Sequence, residues 1–219
     1  MENILKFLLQ VGKLKKIKRT GWILRDVKNP ESVAEHSFRL AIMAWVFGQK
    51  KNLNLEKLIK MALIHDLVEV LAGDSTPYDD LILKNPHKRK KILKNWPRRS
   101  PEEAQNIAKT KLAREKKALE ILTANLKEAL KNELRNLWIE YEFDSSKKGK
   151  FLCQADKVEN FLQAMEYAQE IKNFPIEPLG YQIMESVDDP DLLKLLEQMS
   201  KIVIQKKHAN AISFTRAPL

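Results

Sequence analysis

A histidine and two carboxylates sit within five residues of one another on a segment that is otherwise apolar, and that feature most constrains this chain. Leu55, Leu58, Ile59, Ala62, Leu63 and Val70 recur at helical spacing from Leu55 to Leu71, so the stretch is expected to form one helix. Asn54 is placed to cap its start and Gly73 to end it. Residues three and four apart meet on a helix surface, so Glu69 should lie one turn beyond both His65 and Asp66, with Asp74 following the terminal glycine. Polar groups aimed into apolar surroundings are costly unless they are paired or hold a metal. The ordinary outcome for a His-Asp pair is a hydrogen-bonded core pair. The company it keeps points elsewhere: His36 on an earlier amphipathic helix and Asp156 on a later one both fall where the helical pattern turns inward.

Together His36, His65-Asp66 and Asp156 make an H…HD…D pattern that resembles the HD-domain superfamily of metal-dependent phosphohydrolases. The segments NPESVAEH before His36, HDLVEVLAGD around the pair, and RTGW at Arg19 to Trp22 are similar to its 5'-deoxynucleotidase branch, over roughly Leu5 to Glu170. The resemblance implies an all-α HD-domain helical bundle. It also implies one divalent metal ion per chain (Co, Mn, Zn, Ni, Fe or Mg) held by His36, His65, Asp66 and Asp156, a set that suits a first-row ion and leaves positions open for water and substrate. Glu69 would handle a proton and Asp74 would help to hold the attacking water. Arg19 would hold phosphate charge, and Trp22 would pack against the sugar and disfavour a 2'-hydroxyl. In the bacterial member of the branch the Arg and Trp are adjacent; here they are three apart. Without the resemblance, Trp22 would read as a core anchor and Arg19 as a surface charge. Members of the family are dimers, which implies a homodimer.

The 219 residues suit one HD domain spanning the whole chain: a metal core over 31–172, a basic insertion after the HD helix at about 84–108, and a C-terminal helix and tail over 188–219. Apolar residues make up 44%, enough for a sizeable core, and only six glycines are present. The single cysteine, Cys153, excludes an internal disulfide and fits a reducing compartment. There is no signal-peptide pattern and no apolar run long enough to cross a bilayer, so a cytoplasmic protein without membrane partners is expected. The net charge is +10, and Lys84 to Arg99 holds eight basic residues with no acidic one. Such a surface favours phosphate-bearing partners, although a charge run of this kind is more often a solvated face.

Further helices are expected over Glu2 to Leu14, with Ile4, Leu5, Leu8, Leu9 and Val11 as the apolar stripe, and over Glu31 to Gln49 behind a Ser32–Glu35 capping box. Others run from Ser100 toward Leu122, Leu126 to Phe143, Lys148 to Ile171 and Asp189 to Gln205. Phe174 to Gly180 reads as a proline-broken loop, Glu159 and Lys157 as able to face solvent, Arg39 as a structural pairing partner, and Trp96-Pro97 as a pin for the insertion. The expected function is hydrolysis of deoxyribonucleoside 5'-monophosphates. The alternatives are another HD phosphohydrolase activity (on a cyclic nucleotide, a triphosphate or an alarmone) and a nucleic-acid-binding protein using the basic insertion, for which Trp96 alone would offer a stacking surface.

Overall fold

Side-chain caps start several of the helices in the computed structural model, which describes residues 1–95, 99–172 and 174–206. Twelve α-helices follow in order among these residues: α1 (Glu2–Val11), α2 (Thr20–Ile23), α3 (Val33–Lys50), α4 (Leu55–Ile64), α5 (Glu69–Ala72), α6 (Asp79–Lys84), α7 (Arg89–Asn95), α8 (Pro101–Thr123), α9 (Glu128–Glu142), α10 (Lys147–Glu170), α11 (Glu177–Ser186) and α12 (Pro190–Lys206). Ser32 Oγ accepts the Glu35 N–H at 3.3 Å while Glu35 Oε2 accepts the Ser32 N–H at 2.5 Å, the reciprocal pair expected at the start of α3. Ser100 and Glu103 repeat it on α8, and Asn54 Oδ1 caps α4 through the Lys57 N–H at 2.9 Å. Each such cap contributes about 1 kcal/mol. Among the described residues there is no strand beyond a single antiparallel bridge between Lys18 and Ser32.

The core lies where α3, α4 and α10 meet. Leu40 and Ala44 from α3, Leu58, Met61 and Ala62 from α4, and Leu152, Ala155, Val158 and Phe161 from α10 are all at most 1% exposed. At roughly 1.5–3 kcal/mol for each large apolar side chain removed from water, this group dominates the favourable side of folding. α11 and α12 close the far side of α10 with Ile183, Leu192 and Leu196. A second cluster, Leu14, Val33, Leu67 and Leu122, fixes α1 and the turn after it against the HD segment.

Four departures from the sequence expectation bear on function. The helix expected over Leu55 to Leu71 breaks at His65. The His65 Nδ1 takes the Ala62 carbonyl at 2.7 Å, which a continuing helix would give to the Asp66 N–H. The N–H groups of Leu67 and Glu69 then reach back only three residues, to Ile64 and Asp66, at 3.0 and 3.1 Å, before α5 begins. Second, Glu159 does not face solvent: α10 is enclosed by α3, α9, α11 and α12, and Glu159 is 0% exposed. Third, the expected loop from Phe174 contains the start of α11, whose Pro178 sits in the first turn, where its missing N–H is tolerated. Fourth, α1 stops at Val11 and tightens into a 3-10 turn, Gly12–Lys15; Phe7, Val11 and Leu14 dock, whereas Ile4, Leu5, Leu8 and Leu9 stay exposed.

The basic segment folds back onto the body. Arg89 grips both oxygens of Asp26 at 2.6 and 2.7 Å, and Arg99 donates to the Pro77 carbonyl at 2.6 Å and pairs with Asp80. Asp80 is thus a tether rather than a free surface charge, and Asp79 accepts the Thr76 N–H at 3.1 Å. The expected pinning by Trp96 and Pro97, and the tail 207–219, lie outside the described residues.

Candidate metal centre

Three separate elements bring the imidazoles and carboxylates together. The capping box of α3 sets His36 in its first turn, fully buried. The tightened turn after α4 carries His65 and Asp66, and α10 carries Asp156. His36 Nε2 stands 3.2 Å from His65 Nε2 and 3.0 Å from Asp156 Oδ1. Asp66 Oδ2 adjoins them, 3.1 Å from His65 Nε2 and 3.8 Å from His36 Nε2. Ligand atoms of His36, His65 and Asp156 all fall within 4.8 Å of one another, and Asp66 extends that set while also meeting Arg19.

The hydrogen-bond pattern tests whether this set suits a cation. His65 Nδ1 faces a carbonyl oxygen, and His36 Nδ1 faces the Glu159 carboxylate, so in both neutral rings the proton belongs on Nδ1. Both Nε2 lone pairs then point at each other and at two carboxylates. In these tautomers the acceptors of His36, His65 and Asp156 converge with Asp66 beside the imidazoles, a set that a divalent ion satisfies. Burial and the Arg19 charge work against the His36 imidazolium, yet Glu159 and Asp156 carry its pKa up to about 10. Burial pushes the Asp156 carboxyl upward, but the hydrogen bond and charge of His36 outweigh it and bring it to about 2. Asp66 is held well below the usual carboxylate range, burial notwithstanding, by His65 and Arg19.

Arg19 lies at the edge of this centre. Its guanidinium donates to Asp66 Oδ2 at 2.7 Å and to Asn160 Oδ1 at 3.0 Å, and stands 3.8 Å from Asp74 Oδ1. Asp74 also accepts the Thr20 N–H, and its backbone carbonyl accepts the Thr20 hydroxyl at 2.9 Å, so the loop after Gly73 is tied to the first residue of α2. Glu69 is 5% exposed and its Oε2 is buried without a partner. Burial first, then the charges of Asp66 and Asp74, pushes its carboxyl up to about 11. Trp22 is a core residue: it is 3% exposed, its ring stands edge-on to Tyr167 with centroids 5.3 Å apart, and its Nε1–H is donated to Glu31 Oε1 at 2.9 Å. Phe174 lies against the same ring, with centroids 6.3 Å apart.

Several groups around the centre went unread in the sequence. Asn160 donates to Asp156 Oδ1 at 3.1 Å while it accepts from Arg19; its place one turn after Asp156 is the available signal. Tyr141 donates to Asp156 Oδ2 at 3.1 Å and lies against the His65 ring at 5.1 Å, and nothing in the spacing of α9 points to it. On the α8 side, Glu115 is buried with Oε2 unpartnered, 3.4 Å from Lys111 through its other oxygen. His87 lies apart on its own exposed 3-10 turn.

Comparison with known proteins adds the relatives of this arrangement. The HD domain family model matches residues 11–192. The 5'-deoxynucleotidase HDDC2 of Bos taurus is 38% identical over 173 residues, covering 79% of this chain and 71% of that protein. Among solved structures, a conserved hypothetical protein from Pyrococcus furiosus superposes with a TM-score of 0.63 at 28% identity, over 90% of this chain and 99% of its own. A predicted metal-dependent phosphohydrolase from Magnetospirillum magnetotacticum shares the fold, with a TM-score of 0.64 at 22% identity over 96% and 95%.

Proposed function

The chain belongs to the HD-domain family, and we propose that it works as a metal-dependent phosphohydrolase that removes the 5'-phosphate of deoxyribonucleoside 5'-monophosphates. One observation carries the metal dependence: ligand atoms of His36, His65 and Asp156 converge within 4.8 Å with Asp66 beside the two imidazoles, while each Nδ1 faces an acceptor on the other side. The substrate class is supported by the likeness to 5'-deoxynucleotidases over most of both chains.

When bound, a divalent ion supplies Lewis acidity toward a phosphoryl oxygen and makes water acidic enough to act near neutral pH. The chain supplies the rest. Arg19, held from behind by Asn160, offers a guanidinium fork to the phosphate. Glu69, with an unpartnered oxygen in a dry site, moves a proton to or from the reacting oxygen atoms. Asp74 keeps the α2 N-terminus against the loop after α5 and helps to orient water. Trp22 acts at a distance. Its indole and Glu31 anchor the segment that carries Arg19, so its bearing on the 2'-position runs through that backbone. We assign one ion per chain, drawn from cobalt, manganese, zinc, nickel, iron and magnesium.

We also infer a homodimer, supported by bare apolar faces on α1 and α3. Among the described residues no helix is long and apolar enough to cross a membrane. A cytoplasmic setting is supported by the free Cys153 thiol. The nucleic-acid reading loses ground, because Arg89 and Arg99 of the basic segment are engaged by Asp26 and Asp80.

The test is phosphate release from deoxyadenosine and adenosine 5'-monophosphates by chelator-treated protein, with each metal added back. Metal-dependent release that favours the deoxy substrate is expected. Equal release from both would remove the sugar preference, and no release with any metal would overturn the assignment.

A further inference from the structure

Behind His36, on the side away from the centre, lies a buried polar chain that the hydrolytic chemistry does not use. Glu159 and His36 are both 0% exposed, and Glu159 Oε2 meets His36 Nδ1. The other oxygen, Oε1, accepts Arg39 Nε–H at 2.7 Å. Arg39 is spread along α10, donating also to Gln163 Oε1 at 2.6 Å and to Glu166 Oε1 at 2.7 Å, one and two turns beyond Glu159. Its NH2 stands 4.0 Å from Glu31 Oε2, and Glu31 in turn accepts from Trp22 and donates its N–H to the Tyr167 hydroxyl at 2.7 Å. The chain therefore runs from the segment bearing Arg19, through Trp22, Glu31, Arg39 and Glu159, to the back of His36.

Two readings of this cluster can be separated by charge. Glu31, His36 and Glu159 offer ligand atoms within 4.8 Å of one another, so the group could be taken for a second cation site. The Arg39 guanidinium already supplies the positive charge there, and a His36 ring that offers the Nε2 lone pair to the first set carries its proton on Nδ1, with no second lone pair for an ion. With one oxygen taken by the Arg39 N–H, Glu159 turns its other oxygen to the ring as an acceptor. It therefore requires the proton on Nδ1 and leaves Nε2 as a lone pair aimed at Asp156 and His65.

We propose that Glu159, clamped by Arg39, is a positioning residue that fixes the tautomer and ring plane of His36 and thereby sets the metal affinity of the centre. The inference rests on the reading of His36 as a metal ligand, and it predicts what that reading alone does not: a group one layer removed from the ion controls its retention. A carboxylate behind a ligating imidazole is typically worth about 10–100-fold in affinity.

The experiment measures zinc and cobalt dissociation constants by competition with a chromophoric chelator, without reference to turnover. The variants are Glu159→Gln, Arg39→Lys and, as a control at the exposed end of the chain, Glu166→Gln. Imidazole 1H–15N spectra of the zinc-loaded proteins report the His36 Nδ1 proton. Glu159→Gln should weaken both metals by about 10–100-fold, with the His36 Nδ1–H resonance shifted or lost. Arg39→Lys, which keeps Glu159 and the charge but not the fork, should give a smaller loss in the same direction, and Glu166→Gln should bind as the native chain does. Unchanged affinity and an unchanged Nδ1 proton in Glu159→Gln would overturn the proposal. If that variant does not fold, native affinity in Arg39→Lys would overturn it instead. Failure of the native chain to bind either metal would strike the parent reading rather than this one.

Discussion

Glu69 and Glu115 are both buried carboxylates with one orphaned oxygen, and their surroundings give them different work. Glu69 faces Asp66, Asp74 and Arg19, the groups proposed to frame the reacting atoms. Replacing it with Ala should lower kcat by about 10²–10⁴-fold, the usual range for a lost acid or base, while zinc or cobalt affinity stays native; full turnover in Glu69→Ala would remove it from the chemistry. Glu115 faces Lys111 of its own helix, Glu142 of α9 and Asp66 of the HD turn. Burial first, opposed by Lys111 and helped by Glu142, lifts its carboxyl from 4.5 to about 7. The folded protein then holds this proton more tightly than the unfolded chain, so stability should fall as pH rises from 4.5 to 7 and stay lowered above that. Glu115→Gln should raise Tm more at pH 8 than at pH 5; an equal shift at both values would refute the assignment. At this scale the sequence was legible where residue type is chemically rare. Histidines on apolar helices announce themselves, whereas Glu159 and Glu115 look like any surface glutamate until their helices acquire neighbours on several sides.

Helix ends were the most readable elements, because Ser32, Asn54 and Ser100 each carry a local hydrogen bond that needs no tertiary partner. The break at His65 was hidden for the opposite reason. The apolar spacing continues through it, and only the capture of the Ala62 carbonyl by the His65 ring interrupts the ladder. The α11 start was hidden by Pro175 and Pro178, which punctuate a loop and open a helix equally well. Glycines mark the closest helix approaches, and two of them should respond differently to the same substitution. At Gly149, in the first turn of α10, an added Cβ would meet the backbone carbonyl oxygen of Glu140, which cannot step aside without moving α9. Gly149→Ala should therefore cost about 1–3 kcal/mol, the range for overpacking. At Gly48 the Cβ would meet side-chain tips instead, Leu58 at 2.6 Å and Leu55 at 3.0 Å, which can shift without moving a backbone. Gly48→Ala should cost less, since a better helix former offsets part of the clash. Urea midpoints decide the order, and a Gly149→Ala variant as stable as Gly48→Ala would mean that α9 yields more easily than its packing indicates.

At the level of the whole molecule, the bundle was legible from helical periodicity, yet two of its apolar stripes point away from the core. Periodicity reports that a face is apolar, not what covers it. On α1, Ile4, Leu5, Leu8 and Leu9 are 42–63% exposed, while Phe7 and Val11 do the docking. On α3, Phe38, Ile42, Trp45 and Val46 are 42–66% exposed at a spacing of four, three and one residues, a single stripe on the side turned from Leu40 and Ala44. A monomer rarely leaves such contiguous apolar stripes in water, and the proposed homodimer would bury them. Trp45 carries the largest side chain of the α3 stripe and is the natural anchor, because buried aromatics dominate interface energetics. Trp45→Glu should then cost about 2 kcal/mol or more in association free energy. By sedimentation equilibrium, the native chain is expected at twice its 25.4 kDa mass and the variant near the single-chain value at the same concentration. Leu8→Glu on α1 asks whether the second stripe shares that interface. A shift in both variants would join α1 and α3 in one contact, and a shift in Trp45→Glu alone would confine it to α3. A native chain that sediments as a monomer throughout the micromolar range would rule out the dimer and leave both stripes for a different partner.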